Sequence, residues 1–366
     1  MTRHPDLVVV GAGIVGAATA FLAARAGLSV TVLDRGAPGG GTSSHGEGNV
    51  LVSDKEAGPE LDLALYSNEV WRTELGEFGG LWELEPKGGV VVASTGASLD
   101  ALLRLAEHQR SAGIVAEPVD AAGLTDLEPH LAPDLAGGVL YPQDAQLMPM
   151  LAVAHLLRLA RELGVRVLPR TPVTGFLRDG DRVTGVRTSS GDLPAGAVLN
   201  AAGPWAADVA ALAGVHLPVA PRRGFVLVTE PLPPTVRHKV YAAEYVSDVA
   251  SGDAALQSSP RRRRHPGRHG AHRLHPRARR LRPHRLRPRP RAHGRRGGAP
   301  SSPVLAGVTA MRHYHGFPLP TARTTCPSSA RTRGRRARGA AGRRLLMGSI
   351  VSHRDGERRE PRRVSR

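Results

Sequence analysis

Cysteine, lysine and long apolar runs are what this 366-residue chain has least of. Its single cysteine, Cys326, excludes a disulfide framework and a cysteine-based metal site, and no other metal site is predicted. No segment reaches the roughly 18 apolar residues of a membrane span, and residues 1–10 have no signal-peptide pattern. These absences predict a cytoplasmic protein without a membrane span, in which any redox chemistry comes from a bound cofactor.

Charge is distributed unevenly along the chain, whose net charge is +18. Only 19 of the 50 basic residues but 29 of the 32 acidic residues precede Ser258, which leaves 31 basic and 3 acidic residues after it. All 31 are arginine, whereas a tail that contacts phosphate groups usually mixes both cations. We therefore predict no specific nucleic-acid partner. A natural basic tail that binds nucleic acid remains the alternative.

The N-terminal pattern predicts a βαβ unit. Leu7–Val10 is an apolar run closed by Gly11, residues 14–26 have apolar side chains at helical spacing, and residues 28–33 form a second β-rich run. Further helices are predicted at 60–75, 98–111, 148–163 and 205–213, and further strands at 90–93, 165–168, 173–177, 183–187, 197–200 and 224–229. A hairpin is predicted at Gly180-Asp181. The fold class is α/β with an antiparallel component.

A G-x-G-x-x-G motif lies where the first strand turns into the helix. Gly11 permits the tight turn, Gly13 lets a pyrophosphate approach backbone N–H groups at the helix N-terminus, and Gly16 allows close packing of helix on strand. Asp34 ends the second strand, 18 residues after Gly16, where it can accept hydrogen bonds from a ribose. The candidate residues at this dinucleotide site are Gly11, Gly13, Ile14, Val15, Gly16, Asp34 and Arg35. The motif alone does not decide between FAD and NAD.

A second loop of small residues, 39–44, follows the βαβ unit. Its glycines and the hydroxyls of Thr42, Ser43 and Ser44 suit close approach to a diphosphate and a flavin. A flexible surface loop is the alternative.

Residues 198–206, Val-Leu-Asn-Ala-Ala-Gly-Pro-Trp-Ala, resemble the strand-turn-helix of the D-amino-acid oxidase, glycine oxidase and sarcosine oxidase superfamily. A glycine at the strand end and a proline at the first helical position suit a helix N-terminus that faces a cofactor. The resemblance implies FAD, with Ala202, Gly203 and Trp205 beside it and Val173 bringing a backbone amide to the adenine. It also implies a Rossmann-like FAD-binding domain, residues 1–84 and 145–221, and a mostly antiparallel α+β substrate domain, residues 85–144 and 222–257.

The same resemblance implies candidate substrate residues. Tyr241 and Tyr245 lie where the family places aromatic side chains that face the substrate, with core packing as the alternative for each. Arg312 is the candidate for binding a substrate carboxylate. Residues 41–48 also resemble the dimethylglycine dehydrogenase pattern, in which the histidine matched by His45 carries covalent flavin. A His45 that only forms hydrogen bonds is the alternative.

The family resemblance breaks off near Gln257. Residues 258–303 and 318–366 are rich in Arg and Pro and are predicted to be disordered, whereas 304–317 resembles a strand of the family. Shifting the codons of residues 265–284 by one base accommodates Thr-Pro-Ala-Gly-Thr-Val-Leu-Ile-Gly-Ser-Thr-Arg-Glu-Arg-Val-Gly-Phe-Asp-Arg. The opposite shift over 323–333 accommodates Pro-Asp-His-Leu-Pro-Val-Ile-Gly-Pro-Asp-Pro. We therefore predict a largely irregular C-terminal third that is read out of frame.

The function that these patterns predict is FAD-dependent oxidation of the C–N bond of an amino acid or secondary amine. Hydride would pass to flavin N5, the product would be an imine, and the electrons would then pass to O2 or another acceptor. Three alternatives stay open: a basic-tailed nucleic-acid-binding protein, an NAD-linked dehydrogenase, and a catalytically impaired remnant of the flavoenzyme.

Overall fold

The computed structural model describes residues 4–243, 269–274, 303–305, 308–321 and 349–350. Contacts divide the chain into two units. The first unit comprises Met1–Pro38, Leu157–Leu217 and Ser328–Arg366, and the second comprises Gly39–Leu156 and Pro218–Pro327. No helix among the described residues is both long and apolar enough to cross a bilayer.

The strands and helices have the following bounds. The strands are β1 (Leu7–Val10), β2 (Val30–Leu33), β3 (Asn49–Val50), β4 (Gly89–Ala93), β5 (Glu117–Val119), β6 (Gly137–Tyr141), β7 (Ala145–Gln146), β8 (Arg166–Leu168), β9 (Val173–Asp179), β10 (Arg182–Thr188), β11 (Gly191–Pro194), β12 (Ala197–Asn200), β13 (Ala220–Pro231), β14 (Lys239–Ala242), β15 (His269–Leu274), β16 (Ala310–Thr321) and β17 (Ser349–Ile350). The α-helices are α1 (Ile14–Arg25), α2 (Pro59–Arg72), α3 (Gly96–Ser111), α4 (Ala121–Leu127), α5 (Pro149–Glu162) and α6 (Ala206–Ala211). Short 3-10 turns span Thr42–His45, Gly76–Trp82, Gly203–Trp205 and Pro303–Leu305.

The first unit is built on a five-stranded sheet in the order β17-β12-β1-β2-β8. Strands β12, β1, β2 and β8 are parallel, and β17 pairs antiparallel with β12. All residues of β1 and β2 are buried, as expected for the centre of a parallel sheet covered on both faces. Helix α1 packs on the face that carries Val9, where only a glycine at position 16 lets the helix approach the strand.

A three-stranded antiparallel sheet, β11-β10-β9, covers the other face of the parallel sheet in this unit. Val8 and Val10 of β1 pack there with Phe176 and Val186 of the antiparallel sheet. The predicted hairpin at Gly180-Asp181 is confirmed, because β9 and β10 pair across it and Gly180 adopts φ +55°.

The second unit contains a four-stranded sheet in the order β14-β4-β6-β5 and a three-stranded sheet in the order β15-β13-β16. Strand β14 runs parallel to β4, whereas β6 runs antiparallel to it. Alternate residues of the four-stranded sheet enter two cores, with Val91 and Tyr241 on the side of α3 and Val90 and Val240 on the side of α4. The predicted α/β class with a substantial antiparallel component is confirmed.

The predicted domain limits differ from the division by contacts. Residues 39–84 and 145–156, assigned from the sequence to the FAD-binding domain, group with the second unit, in part because β3 pairs with β7. Within the segments predicted to be disordered, three stretches are local exceptions: β15 and the end of β16 pair with β13, and β17 pairs with β12. Most other residues of 258–303 and 318–366 lie outside the described residues, so the domain assignment stays a prediction.

Candidate functional site

Two positions at the junction of β1 and α1 can be occupied only by glycine. Gly11 adopts φ +108°, and a Cβ there would lie 2.4 Å from the carbonyl oxygen of Ala201. A Cβ on Gly16 would lie 1.9 Å from the carbonyl oxygen of Gly11. Gly13 is the N-cap of α1, which has no side-chain cap and no acidic residue in its first turn. The helix N-terminus therefore presents a positive dipole end that suits a phosphate.

Asp34 connects the end of β2 to this turn. One carboxylate oxygen accepts the N–H of Ala12 at 2.8 Å, and the other accepts the N–H of Gly36 at 2.8 Å. A carboxylate has about four acceptor positions, so both oxygens keep capacity for the hydroxyls of a ribose. The structure thus places the predicted acid where the glycine turn begins.

The 201–203 turn lies beside the glycine turn at the carboxyl ends of β12 and β1. Ala201 donates its N–H to the carbonyl of Val10 at 2.8 Å. Asn200 shapes the turn, because its side chain accepts the N–H of Ala202 at 3.2 Å and donates to the carbonyl of Ala206 at 2.8 Å. Ligands of open α/β sheets bind at this edge of the strands. Ala202 and Gly203 therefore lie at this ligand-binding edge, and their contact with a cofactor stays a prediction.

Arg35 and Trp205 meet in the same unit. The guanidinium carbon of exposed Arg35 lies 4.2 Å from the centroid of the Trp205 ring, a cation–π distance. Val173 opens β9 and packs, half-buried, beside the core that contains Leu33. Its segment is tied to the end of β2, since Thr171 donates its N–H to the carbonyl of Asp34 at 2.8 Å. The predicted adenine contact of Val173 remains a prediction.

In the second unit, Thr42, Ser43, Ser44 and His45 form a half-buried 3-10 turn. The Nδ1 atom of His45 lies 2.8 Å from the carbonyl of Gly41 and 2.9 Å from the hydroxyl of Ser44. Its ring meets that of Tyr314 edge to face, with centroids 5.8 Å apart. These contacts fix the imidazole through hydrogen bonds, and a covalent link to flavin remains untested.

The predicted substrate residues have different surroundings. Tyr241 is fully buried, and its hydroxyl bonds that of Ser53, which donates to the carboxylate of buried Asp144. Exposed Arg312 lies with its guanidinium carbon 5.3 Å from the centroid of the Tyr314 ring. Tyr245 lies outside the described residues. Tyr241 thus has the core packing that was the alternative for it, and its contact with substrate stays a prediction.

Burial changes the ionisation of this polar cluster. Burial raises the pKa of Asp144 to about 7, although hydrogen bonds from Ser53 and Val52 act in the opposite direction. Burial also raises the pKa of Tyr241 well above its usual value. The cluster was missed from the sequence, which gave no role to Ser53 or Asp144.

A buried ion pair was also missed. The Nζ atom of Lys239 lies 3.2 Å from Oε2 of Glu47, and both side chains are almost fully buried. Lys239 is one of three lysines in the chain and begins the otherwise apolar strand β14, which was the available signal.

The chain is similar in sequence to the members of one protein family. A family model described as DAO, FAD dependent oxidoreductase, matches residues 6–319. The chain is 30% identical over 306 residues to hydrogen cyanide synthase subunit HcnC of Pseudomonas aeruginosa. That alignment covers 71% of this chain and 72% of that protein. It is also 32% identical over 235 residues to human mitochondrial sarcosine dehydrogenase. That alignment covers 62% of this chain but only 25% of that protein.

Among solved structures, the fold is similar to that of glycine oxidase from Geobacillus kaustophilus, with a TM-score of 0.73 at 23% identity. The match covers 87% of this chain and 84% of that chain. This structural similarity supports the fold alone, whereas the family is shown by the sequence matches.

Proposed function

Because the chain belongs to the DAO family of FAD-dependent oxidoreductases, we propose that it oxidises the C–N bond of an amino acid or secondary amine. Family membership confirms the predicted cofactor class and decides between FAD and NAD in favour of FAD. The names of two relatives, sarcosine dehydrogenase and glycine oxidase, support an amino acid or amine as the substrate class.

The glycine turn carries the cofactor part of this proposal. Gly11 and Gly16 leave no space for a Cβ, and the N-cap residue Gly13 forms no side-chain hydrogen bond at the N-terminus of α1. A pyrophosphate would accept hydrogen bonds from backbone N–H groups there, and Asp34 would accept them from the adenosine ribose. Arg35, held against Trp205, adds a positive charge on the same side of the sheet.

Bound FAD would supply a two-electron acceptor for the hydride on the carbon next to the substrate nitrogen. The protein's part would then be to hold that carbon in line and to exclude water. In the second unit, Arg312 would bind a carboxylate of the substrate, and the Thr42–His45 turn would contribute hydroxyl and imidazole groups. The acceptor that takes the electrons afterwards is O2 or another oxidant.

Flavin analysis of the purified full-length chain tests the proposal. We expect FAD that is released by heat, followed by oxidation of one member of a panel containing glycine, sarcosine, proline and D-amino acids. Peroxide formation and dye reduction, measured side by side, would distinguish an oxidase from a dehydrogenase. Full flavin loading without oxidation of any amino acid or amine would contradict the substrate class.

Acid precipitation of the same preparation tests His45. A hydrogen-bonded His45 predicts that all flavin stays in the supernatant. Flavin that remains with the precipitate, and that is lost in His45→Gln, would establish the covalent alternative.

A further inference from the structure

Strand β14 presents two polar side chains to one segment of the chain. Lys239 and Tyr241 lie two residues apart and therefore point to the same side of the strand, whereas Val240 enters the opposite core. On that side they contact Glu47 and Ser53. Both belong to the segment 46–55, which directly follows the Thr42–His45 turn.

The contact between Lys239 and Glu47 is a fully buried ion pair. Their side chains are 0% and 1% exposed, and Oε2 of Glu47 also accepts a hydrogen bond from the side-chain amide of Asn49 at 3.0 Å. Removing two charges from water costs several kcal/mol per ion, so an apolar pair at such a place is often as stable. An ion pair is therefore not required for stability of the core, and fixing one conformation is the role that we assign to it.

The rest of the segment is held by other buried polar groups. The carboxylate of Asp144 accepts the N–H groups of Val52 and Ser53 at 2.8 and 3.3 Å. The side-chain amide of Gln109 donates to the carbonyls of Ser53 and Lys55 at 3.1 and 2.6 Å. These bonds hold residues 52–55 at the C-terminal end of the segment. The ion pair holds Glu47 near its N-terminal end.

Gly48 shows how closely this end is packed. It adopts φ +73°, and a Cβ there would lie 1.8 Å from the carbonyl oxygen of Leu147. The N–H of Leu147 in turn donates to the carbonyl of Gly48 at 2.9 Å. The chain has little freedom on the C-terminal side of Glu47, so a change at Glu47 is transmitted towards His45.

We propose that Lys239 is a positioning residue that acts through Glu47 to hold the Thr42–His45 turn in the conformation that binds flavin. Both side chains are buried, and their role is to fix the backbone from which the hydroxyls and the imidazole project. The role in flavin binding rests on the proposed function, while the role in holding the turn does not.

The test separates loop position from general stability. Lys239→Met leaves an uncompensated buried carboxylate and should lower Tm strongly, and adding Glu47→Gln should restore most of that loss. In the flavin-free double variant, backbone amides of residues 41–47 should exchange with deuterium about tenfold faster than in the parent. The dissociation constant for FAD should rise about tenfold, with kcat falling more than KM rises.

Arg158→Met is the matched control. Arg158 lies 2.6 Å from Glu162 in an exposed ion pair within helix α5. This variant should leave amide exchange of the turn and the affinity for FAD unchanged.

Parent-like exchange of residues 41–47 in the double variant, at restored Tm, would overturn the proposal. If the parent binds no FAD, the proposed function fails, but amide exchange in the flavin-free proteins still decides whether the pair holds the turn.

Discussion

At the scale of single residues, Gly11 combines two constraints that can be separated by substitution. Its φ of +108° disfavours any side chain, and a Cβ would also meet the Ala201 carbonyl at 2.4 Å. We expect Gly11→Ala to destabilise the protein by about 2–4 kcal/mol, the sum of backbone strain and overpacking. Because the turn must move, FAD affinity should fall at least about tenfold. Urea unfolding and flavin titration measure the two effects.

Gly27→Ala provides the control for strain alone. Gly27 adopts φ +87°, and a Cβ there would have no neighbour within 4 Å. The cost should be about 1–2 kcal/mol, with flavin affinity unchanged. Equal losses in the two variants would show that the contact with Ala201 has no effect of its own.

Asp144 leads to a prediction about pH. Burial raises the pKa of this carboxyl from 3.8 to about 7, opposed by hydrogen bonds from Ser53 and Val52 and assisted by the charge of Asp54. The folded state therefore keeps a proton that the unfolded state loses between about pH 4 and 7. Stability from this group is present below pH 4 and is lost as pH rises through 7, at about 1.4 kcal/mol per pH unit.

In Asp144→Asn this contribution is absent, so the free energy of unfolding should fall less steeply between pH 4 and 7 than in the parent. Ser53→Ala gives the matched comparison: it removes a hydrogen bond that lowers the pKa of Asp144, so the pH dependence should persist and shift to higher pH. Identical pH profiles of the parent and Asp144→Asn would contradict the raised pKa. Urea titrations at half-unit pH intervals provide the data.

At the scale of secondary-structure elements, periodicity predicted the long elements well. Helices α2, α3 and α5 and the central strands β1, β2 and β12 each lie within a few residues of their predicted limits. The short strands β5, β7 and β14 were not predicted, because two to four residues carry too little periodic signal. Their place depends on pairing with distant strands, as β14 pairs with β4.

The candidate site divides in the same way. The glycine turn is local, so its spacing predicts it. Tyr241 meets Ser53 across 188 positions and Lys239 meets Glu47 across 192, and only the tertiary fold brings such residues together. One sequence contains no signal for these pairs beyond the unusual residue type, a lysine in an apolar strand.

Helix α3 allows a prediction about an element. Its N-cap Thr95 and Ser98 form a capping box, and the helix carries Gln109, which bonds the 53–55 backbone. Thr95→Ala should cost about 1 kcal/mol in urea unfolding. Ser111→Ala at the other end of the helix removes only an exposed bond to the carbonyl of His108 and should cost within about 0.5 kcal/mol. Equal losses would contradict a stabilising cap.

At the scale of the whole molecule, β15 bears on the predicted change of reading frame. Its residues, His269–Leu274, have little strand propensity as written, yet they pair with β13. In the one-base shift of residues 265–284, these six positions read Thr-Val-Leu-Ile-Gly-Ser, which is typical of a strand. The family model also extends to residue 319, beyond the start of the arginine-rich segment. The shifted residues would thus suit the strand that the chain forms here, and the change of reading frame stays a prediction.

We therefore expect a gene with both frames restored to encode a protein that holds one FAD per chain and unfolds cooperatively. The chain as written should hold less flavin, because residues 258–303 and 318–366, which are rich in Arg and Pro, offer few apolar side chains to complete a core. Flavin content and thermal unfolding of the two proteins, prepared in parallel, measure the difference. Restoring only the codons of residues 265–284 should recover part of the flavin. Equal flavin content in the restored and original proteins would show instead that the arginine-rich tail is a natural part of a working enzyme.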